Sequence, residues 1–352
     1  MLYRKELDEL KDFSVYRGNY IAKMDQNESP FNLFNELKDE IFDKIRKRDL
    51  NRYTKLEDIK KLKTRIADYN SINSKNVAVG AGADSFIHSI IEIFSINQGK
   101  VLTTYPTYPI YKLFSKINGV NTVTTNLEID DFSLNKDDFS EKIKNSKVIF
   151  LTYPNNPTGN LYSRDFILEN IEKYSNKLFA IDEAYFEFAE DSFAEYIHDY
   201  ENLVIIRTFS KFFSIPSLRL GYIIANEKFV NLFEKCQFAP YNVSLFSIIT
   251  GMELIKNYDY FKKNRDKIVS ERNRLFKEIS KLNSLKPYPS KTNFIFIKER
   301  NEKNIADYLY KNKIFVRDFS SMKNLEGFFR ITVSSKKENN YLIEKLKKWN
   351  KK

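Results

Sequence analysis

One cysteine, Cys236, in 352 residues leaves nothing to pair with, so no disulfide framework holds this fold and a reducing compartment suits it. Histidine is almost as scarce. His88 and His198 stand in no metal-ligand spacing, which argues against a zinc centre and against a Ser/His/Asp triad. No apolar run comes near the roughly 20 residues that a membrane-spanning helix needs. The first residues, M-L-Y-R-K-E-L-D-E-L, carry too much charge for a secretory signal. A soluble, cytoplasmic protein with no membrane partner is expected. Only nine glycines occur in the chain, so a place that holds two of them close together needs a reason.

What the chain does have is length, aromatic side chains and positive charge. At 352 residues it suggests about two domains. With 42% hydrophobic and 15% aromatic residues it can fill a sizeable core. The net charge of +11 would suit a nucleic-acid binder. Yet Lys and Arg are interleaved with Asp and Glu almost everywhere, and the one basic stretch, residues 336–352, reads as a solvated helix face. A modest attraction for small anions is expected, with no nucleic-acid partner.

Residues 1–19 read as a polar arm and 20–24 as an extended segment, broken at Asn27-Glu28-Ser29-Pro30. Amphipathic helices are expected at 32–50 and 55–69, with a loop at 51–54 between them. Strand and helix then alternate. Strand patterns fall at 77–79, 101–103, 117–126, 148–151, 178–181, 203–206 and 221–225, and helical patterns at 86–94 and 166–174. Such alternation implies a largely parallel sheet covered on both faces. Beyond it, helical patterns cover 243–255 and 258–282. Strands at 294–297, 314–317 and 328–333, with helices at 305–310 and 339–349, make a smaller α+β unit. The expected division is 1–44 as an N-terminal arm and part of the small domain, 45–250 as a large ligand-binding domain, and 251–352 as a small C-terminal domain.

The strand ends carry the chemistry. Gly80-Ala81-Gly82-Ala83-Asp84-Ser85 turns a strand into a helix N-terminus, where exposed N–H groups and the helix dipole suit a phosphate. It lacks the G-x-G-x-x-G spacing and a Walker lysine, and an ordinary strand-to-helix turn is the alternative. Tyr105-Pro106-Thr107-Tyr108-Pro109 offers an aromatic ring, and Tyr153-Pro154-Asn155-Asn156-Pro157-Thr158-Gly159 is a rigid turn that fixes an asparagine. Asp182-Glu183-Ala184-Tyr185 sets a carboxylate and a phenol at a strand end. Leu203-Val204-Ile205-Ile206 reads as a buried strand and leads to Ser210-Lys211, with Arg219 eight residues after the lysine. A lysine at a strand end can lose its charge by desolvation and attack a carbonyl.

Singly, Asp182 also suits a helix N-cap and Asn156 a solvated loop. Together these residues ask for one ligand, pyridoxal 5′-phosphate. Lys211 takes the aldehyde, Asp182 the pyridinium nitrogen, Asn156 and Tyr185 the ring oxygen, and Tyr108 the ring face. Ala83, Asp84, Ser210 and Arg219 take the phosphate.

With N-E-S-P at Asn27, A-G-A-D-S at Ala81, Y-P-T-Y at Tyr105, Y-P-N-N-P-T-G at Tyr153, D-E-A-Y at Asp182, the Ser210-to-Arg219 pattern, Val316-Arg317 and F-R-I-T-V around Arg330, the chain resembles the fold-type I aminotransferases. Within them it is similar to the histidinol-phosphate aminotransferase-like subgroup. The pieces run over nearly the whole chain, and their joint order is specific. The resemblance implies an α/β fold: a three-layer large domain with a mainly parallel sheet, and a smaller α+β domain. It implies Lys211 as the lysine that binds the cofactor and carries the proton of the 1,3-shift, with Asp182 and Tyr185 beside it. Arg330 matches the arginine that grips the substrate carboxylate, and Arg317 a second one that helps bind the substrate's anion. Tyr53 matches a tyrosine that reaches the cofactor phosphate of a neighbouring subunit, which implies a homodimer with shared active sites. The family has Tyr-Pro there, against Tyr53-Thr54 here.

The N-terminal lid departs from the pattern. The family carries a substrate-contacting tyrosine well upstream of N-E, whereas Tyr16-Arg17-Gly18-Asn19-Tyr20 stands close to Asn27, with Tyr20 or Arg17 the candidate substrate contact. The expected activity is transfer of an amino group from an amino acid, glutamate first, to a small phosphorylated ketone. Imidazole-acetol phosphate and a triose phosphate such as dihydroxyacetone phosphate both qualify. The rival is decarboxylation of phosphoserine or phosphothreonine on the same cofactor. A basic protein that kept the fold without the activity is countered by the intact Lys211, Asp182 and Arg219.

Overall fold

The computed structural model describes residues 7–8, 10, 18–97, 99–237, 242–301 and 303–351. Tyr16 and Arg17 lie outside them. The short strand β1 (Ala22–Met24) is followed by helices α1 (Asn35–Arg46) and α2 (Leu56–Asn70). Strand and helix then alternate: β2 (Val77–Gly80), α3 (Ala83–Ser95), β3 (Lys100–Tyr105), α4 (Ile110–Ile117), β4 (Thr122–Asn126), α5 (Lys136–Lys142) and β5 (Ser146–Thr152). The series continues with α6 (Arg164–Lys173), β6 (Leu178–Asp182), the one-turn α7 (Phe186–Ala189), β7 (Leu203–Thr208) and β8 (Gly221–Ala225). Helices α8 (Glu227–Cys236), α9 (Leu245–Lys256) and α10 (Tyr258–Ser280) follow. The chain closes with β9 (Leu285–Pro287), β10 (Phe294–Glu299), α11 (Ile305–Lys311), β11 (Ile314–Asp318), β12 (Phe328–Thr332) and α12 (Lys336–Asn350). None of the described helices is long and apolar enough to cross a membrane.

Strands β2 to β8 form a seven-stranded sheet in the order β2-β8-β7-β6-β5-β3-β4, with only β8 antiparallel to its neighbours. Alternate residues of its central strands feed two separate cores. Val148, Phe150, Val204 and Ile206 pack on one side, and Ile149, Leu151, Leu203 and Ile205 on the other. That is the period of two expected of a sheet buried on both faces. The arrangement brings the ends of β2, β3, β5, β6 and β7 to one edge, where open α/β sheets bind their ligands.

The second sheet runs β1-β11-β12-β10-β9, with β1 parallel to β11 and the other pairs antiparallel. The chain's first strand thus joins its last ones, so Asp25, Gln26 and Asn27 emerge beside β11 and β12. One stretch differs from the sequence expectation. Residues 117–126 are not one strand: α4 runs through Ile117, Asn118 and Gly119 (φ +71°) turn the chain, and only Thr122–Asn126 is extended. Helix α4 itself lay hidden behind Pro109, which occupies its N-cap rather than ending a loop.

Candidate active site

Four of the five strand ends and the start of α3 open on one cavity of about 310 Å³, walled on the far side by the small sheet. Every described site residue expected from sequence lines it except Tyr53 and Tyr20.

At one end, the β2–α3 turn presents the first N–H groups of a helix. Gly82 is the N-cap at φ +84°, where a side chain is strained. Gly221, at the start of β8, leaves no room either: a Cβ there would stand 2.8 Å from Ala83 N. Arg219 donates to Asp84 Oδ2 at 2.9 Å, and the Tyr108 hydroxyl to Asp84 Oδ1 at 3.0 Å. The buried Ser210 accepts from the Thr208 hydroxyl at 2.9 Å. Helix N–H groups, a hydroxyl and a guanidinium converge here, a donor set suited to a phosphate.

Asp182 ends β6 and is buried. Its Oδ2 accepts from the Tyr111 hydroxyl at 2.6 Å and its Oδ1 from Ala184 N at 3.1 Å. Burial raises its pKa to about 6, with the Asp84 and Glu183 charges acting the same way and the two hydrogen bonds opposing. It forms no ion pair among the described residues, so a cation in the cavity would relieve it. Tyr185 follows in the next turn. Its hydroxyl accepts from Asn27 Nδ2 at 2.9 Å, and burial pushes its pKa up to about 12.

Lys211 leaves the loop after β7 and donates to the Gln26 carbonyl at 3.0 Å. Burial lowers its pKa to about 8, and the nearby Arg330 charge adds to the effect. Nearly half of such an amine is a free base at pH 8, ready to attack a carbonyl. Arg330 donates from Nη1 to Asn156 Oδ1 at 2.5 Å and from Nη2 to the Asp25 carbonyl at 2.7 Å, while its buried Nε has no hydrogen-bond partner among the described residues. Burial brings its pKa down to about 10, helped by Arg317. These two arginines are register partners across β11 and β12.

The family described as aminotransferase class I and II matches this chain over residues 20–346. The chain belongs to that family. A histidinol-phosphate aminotransferase of Thermoanaerobacter sp. (strain X514) is 38% identical over 352 residues, covering 98% of either chain. Among solved aminotransferase structures, the histidinol-phosphate aminotransferase from Clostridium acetobutylicum superposes with a TM-score of 0.86 at 26% identity, over 94% of this chain and 99% of that one. The enzyme of the same name from Sinorhizobium meliloti, solved with pyridoxal 5′-phosphate, gives 0.86 at 22% identity, over 99% of this chain and 98% of that one, a likeness of fold.

Pyridoxal 5′-phosphate is the cofactor of these aminotransferases. The cavity's own chemistry fits it: an anion cradle at one end, a buried carboxylate without a cation in the middle, and an amine of lowered pKa beside them.

Among the residues that sequence reasoning passed over are Tyr111, which holds Asp182 from outside the cavity lining, and the lining residues Thr208 and Asn27. Tyr111 stands three residues after Tyr108, in the first turn of α4 that Tyr108 precedes, and that spacing was the available signal. Thr208 lay two residues before Ser210, at the end of β7. Asn27 sat within a motif already singled out, yet its tie to Tyr185 spans 158 positions and no local pattern announces it. Of the two residues left outside the cavity, Tyr53 is 84% exposed in the α1–α2 loop and Tyr20 is 53% exposed, its ring 5.9 Å from that of Phe315.

Proposed function

We propose that this aminotransferase moves an amino group from glutamate to a small phosphorylated ketone, of the imidazole-acetol phosphate type or a triose phosphate. The observation that carries the reading is the paired placement of Arg317 and Arg330 opposite Lys211 in one cavity. Like charges directly opposite on neighbouring strands destabilise a sheet, so a pair kept at a cavity wall suits an anionic ligand between them. The full-length likeness to histidinol-phosphate aminotransferases supports the same class of substrate.

When bound, pyridoxal 5′-phosphate supplies an electron sink for the carbon that exchanges the amino group. The residues divide the remaining work. Ala83, Asp84, Ser210 and Arg219 would hold the phosphate, with Arg219 now donating to Asp84. Asp182 stays ionised against the protonated ring nitrogen, and Tyr111 keeps its carboxylate aimed. Asn156 and Tyr185 donate to the ring oxygen, and Tyr108 covers the ring face. Lys211 would hold the cofactor through Nζ, and that same atom would carry the proton between the two carbons. Arg330 grips the carboxylate of the donor, and Arg317 joins it on the acceptor's phosphate.

A homodimer with shared sites completes the reading. Tyr53 lies away from its own chain's cavity and stands with Leu50 and Leu56 in an exposed apolar row, a surface suited to a second copy whose cofactor phosphate Tyr53 would reach.

The test compares kcat/KM for phosphorylated ketones and their unphosphorylated counterparts with glutamate as donor. A preference for the phosphorylated ketones of at least about 100-fold is expected from the loss of two charge-assisted contacts. Equal efficiencies would overturn the substrate class, and carbon dioxide released from phosphothreonine would replace transamination by decarboxylation.

A further inference from the structure

The small sheet sets one acid level with the two arginines. Met24 pairs with Val316 in the parallel β1–β11 ladder, so Asp25 comes level with Arg317, which pairs in turn with Arg330. Level residues on neighbouring strands share a face, and all three line the cavity.

Asp25 is only 5% exposed, and its Oδ1 accepts no hydrogen bond from the described residues. The Lys23 ammonium stands 3.4 Å from that oxygen, but its hydrogen bonds go to Gln26 and Glu28 instead. The Asp25 charge is felt at Arg330, where it opposes the effects of burial and of Arg317. The carboxylate is thus withdrawn from solvent at the cavity wall, with Lys23 as its ion-pair partner and its charge acting on Arg330. A buried acceptor without a hydrogen-bond donor is costly even beside a cation, and one at a cavity wall suits a ligand that brings the donor.

We propose that Asp25 recognises the distal end of the substrate, accepting an N–H from a ring such as an azole while Arg317 and Arg330 hold the anionic end. The inference rests on the transamination reading and sharpens it. Of the two ketone classes, a ring-bearing one presents an N–H to Asp25, whereas a triose phosphate presents only a hydroxyl. The same charge repels an acidic distal group, so Asp25 ranks substrates by charge at that end and takes part in no bond-making step.

Two probes of similar shape separate the possibilities: histidinol phosphate, and leucinol phosphate, which has a branched alkyl group in place of the ring. In calorimetric titrations of the holoenzyme, the wild type is expected to bind histidinol phosphate at least about tenfold more tightly than leucinol phosphate. Asp25→Ala should bring that ratio close to one, and Asp25→Asn, which keeps an acceptor oxygen, should retain part of it. Both variants should raise kcat/KM for glutamate, by about two- to tenfold, because a repelling charge has gone. Equal losses with both probes and with glutamate would mean that Asp25 only supports Arg330, and an unchanged ratio would mean that the ring lies elsewhere. Either result overturns the proposal. If the wild type transaminates nothing, the functional reading fails, while the binding ratio still decides the role of Asp25.

Discussion

At Lys211 the burial that lowers the pKa also suits the proposed role of the amine. Its pKa falls to about 8 in the folded protein, against about 10.4 in an unfolded chain. Between those values the unfolded state binds more protons, so the cofactor-free protein gains stability as pH rises from about 8 to about 10. Below that window it bears the whole cost of a buried charge. Lys211→Met should therefore be more stable than wild type at pH 7, by about 1–3 kcal/mol, with the gap closing by about pH 10; denaturant unfolding of the cofactor-free proteins at both pH values checks this. Asp182 has the opposite sign. Its pKa is raised to about 6, so the folded state binds more protons between about pH 4 and 6, and stability falls as pH rises through that interval. Replacing Tyr111 by Phe removes the 2.6 Å bond to Asp182 and should weaken pyridoxal 5′-phosphate binding about five- to tenfold, read from a fluorescence titration. The legible residues at this scale were those that follow a strand directly, such as Asp182 and Lys211. Asn27 was illegible for a physical reason: its partners Tyr185 and Thr332 lie 158 and 305 positions away.

Among the elements, β6 and β7 are tied just below the cavity by one buried ion pair. Arg207 donates from Nε and Nη2 to Glu183 Oε2 at 3.0 and 2.8 Å and stacks on the Phe186 ring at 3.4 Å. Glu183 stands next to Asp182, so its position bears on the site. Arg207→Met would leave the Glu183 carboxylate buried without its cation and is expected to cost about 3–5 kcal/mol, measured by chemical denaturation. The paired variant Arg207→Met with Glu183→Gln should recover part of that loss. The sheet's β-branched runs were readable because alternate residues enter two cores, which demands apolar side chains at every position. Strand β9 was not, since three residues, one of them a proline at the sheet's edge, leave no pattern. Helix α4 was missed because a proline that caps a helix looks, in sequence, like one that ends it.

For the whole molecule, the pairing of β1 with β11 ties the start of the chain into the small sheet, and the cavity draws residues from both sheets. The proposed dimer adds a second chain to each site, and complementation tests it. Lys211→Ala and Tyr53→Ala proteins, each impaired alone, should regain up to about a quarter of wild-type activity when unfolded and refolded together, because one site of each mixed dimer is intact. No recovery, or a single-chain mass by light scattering, would remove the shared site. The central claim is amino transfer at Lys211, and an absorbance titration tests it most directly. Holoenzyme given glutamate, with no ketone present, should lose the band of lysine-bound pyridoxal 5′-phosphate, gain that of the aminated cofactor, and release one 2-oxoglutarate per site; a phosphorylated ketone should then restore the first band. A band that glutamate leaves unchanged, or that forms equally well in Lys211→Ala, would contradict the account.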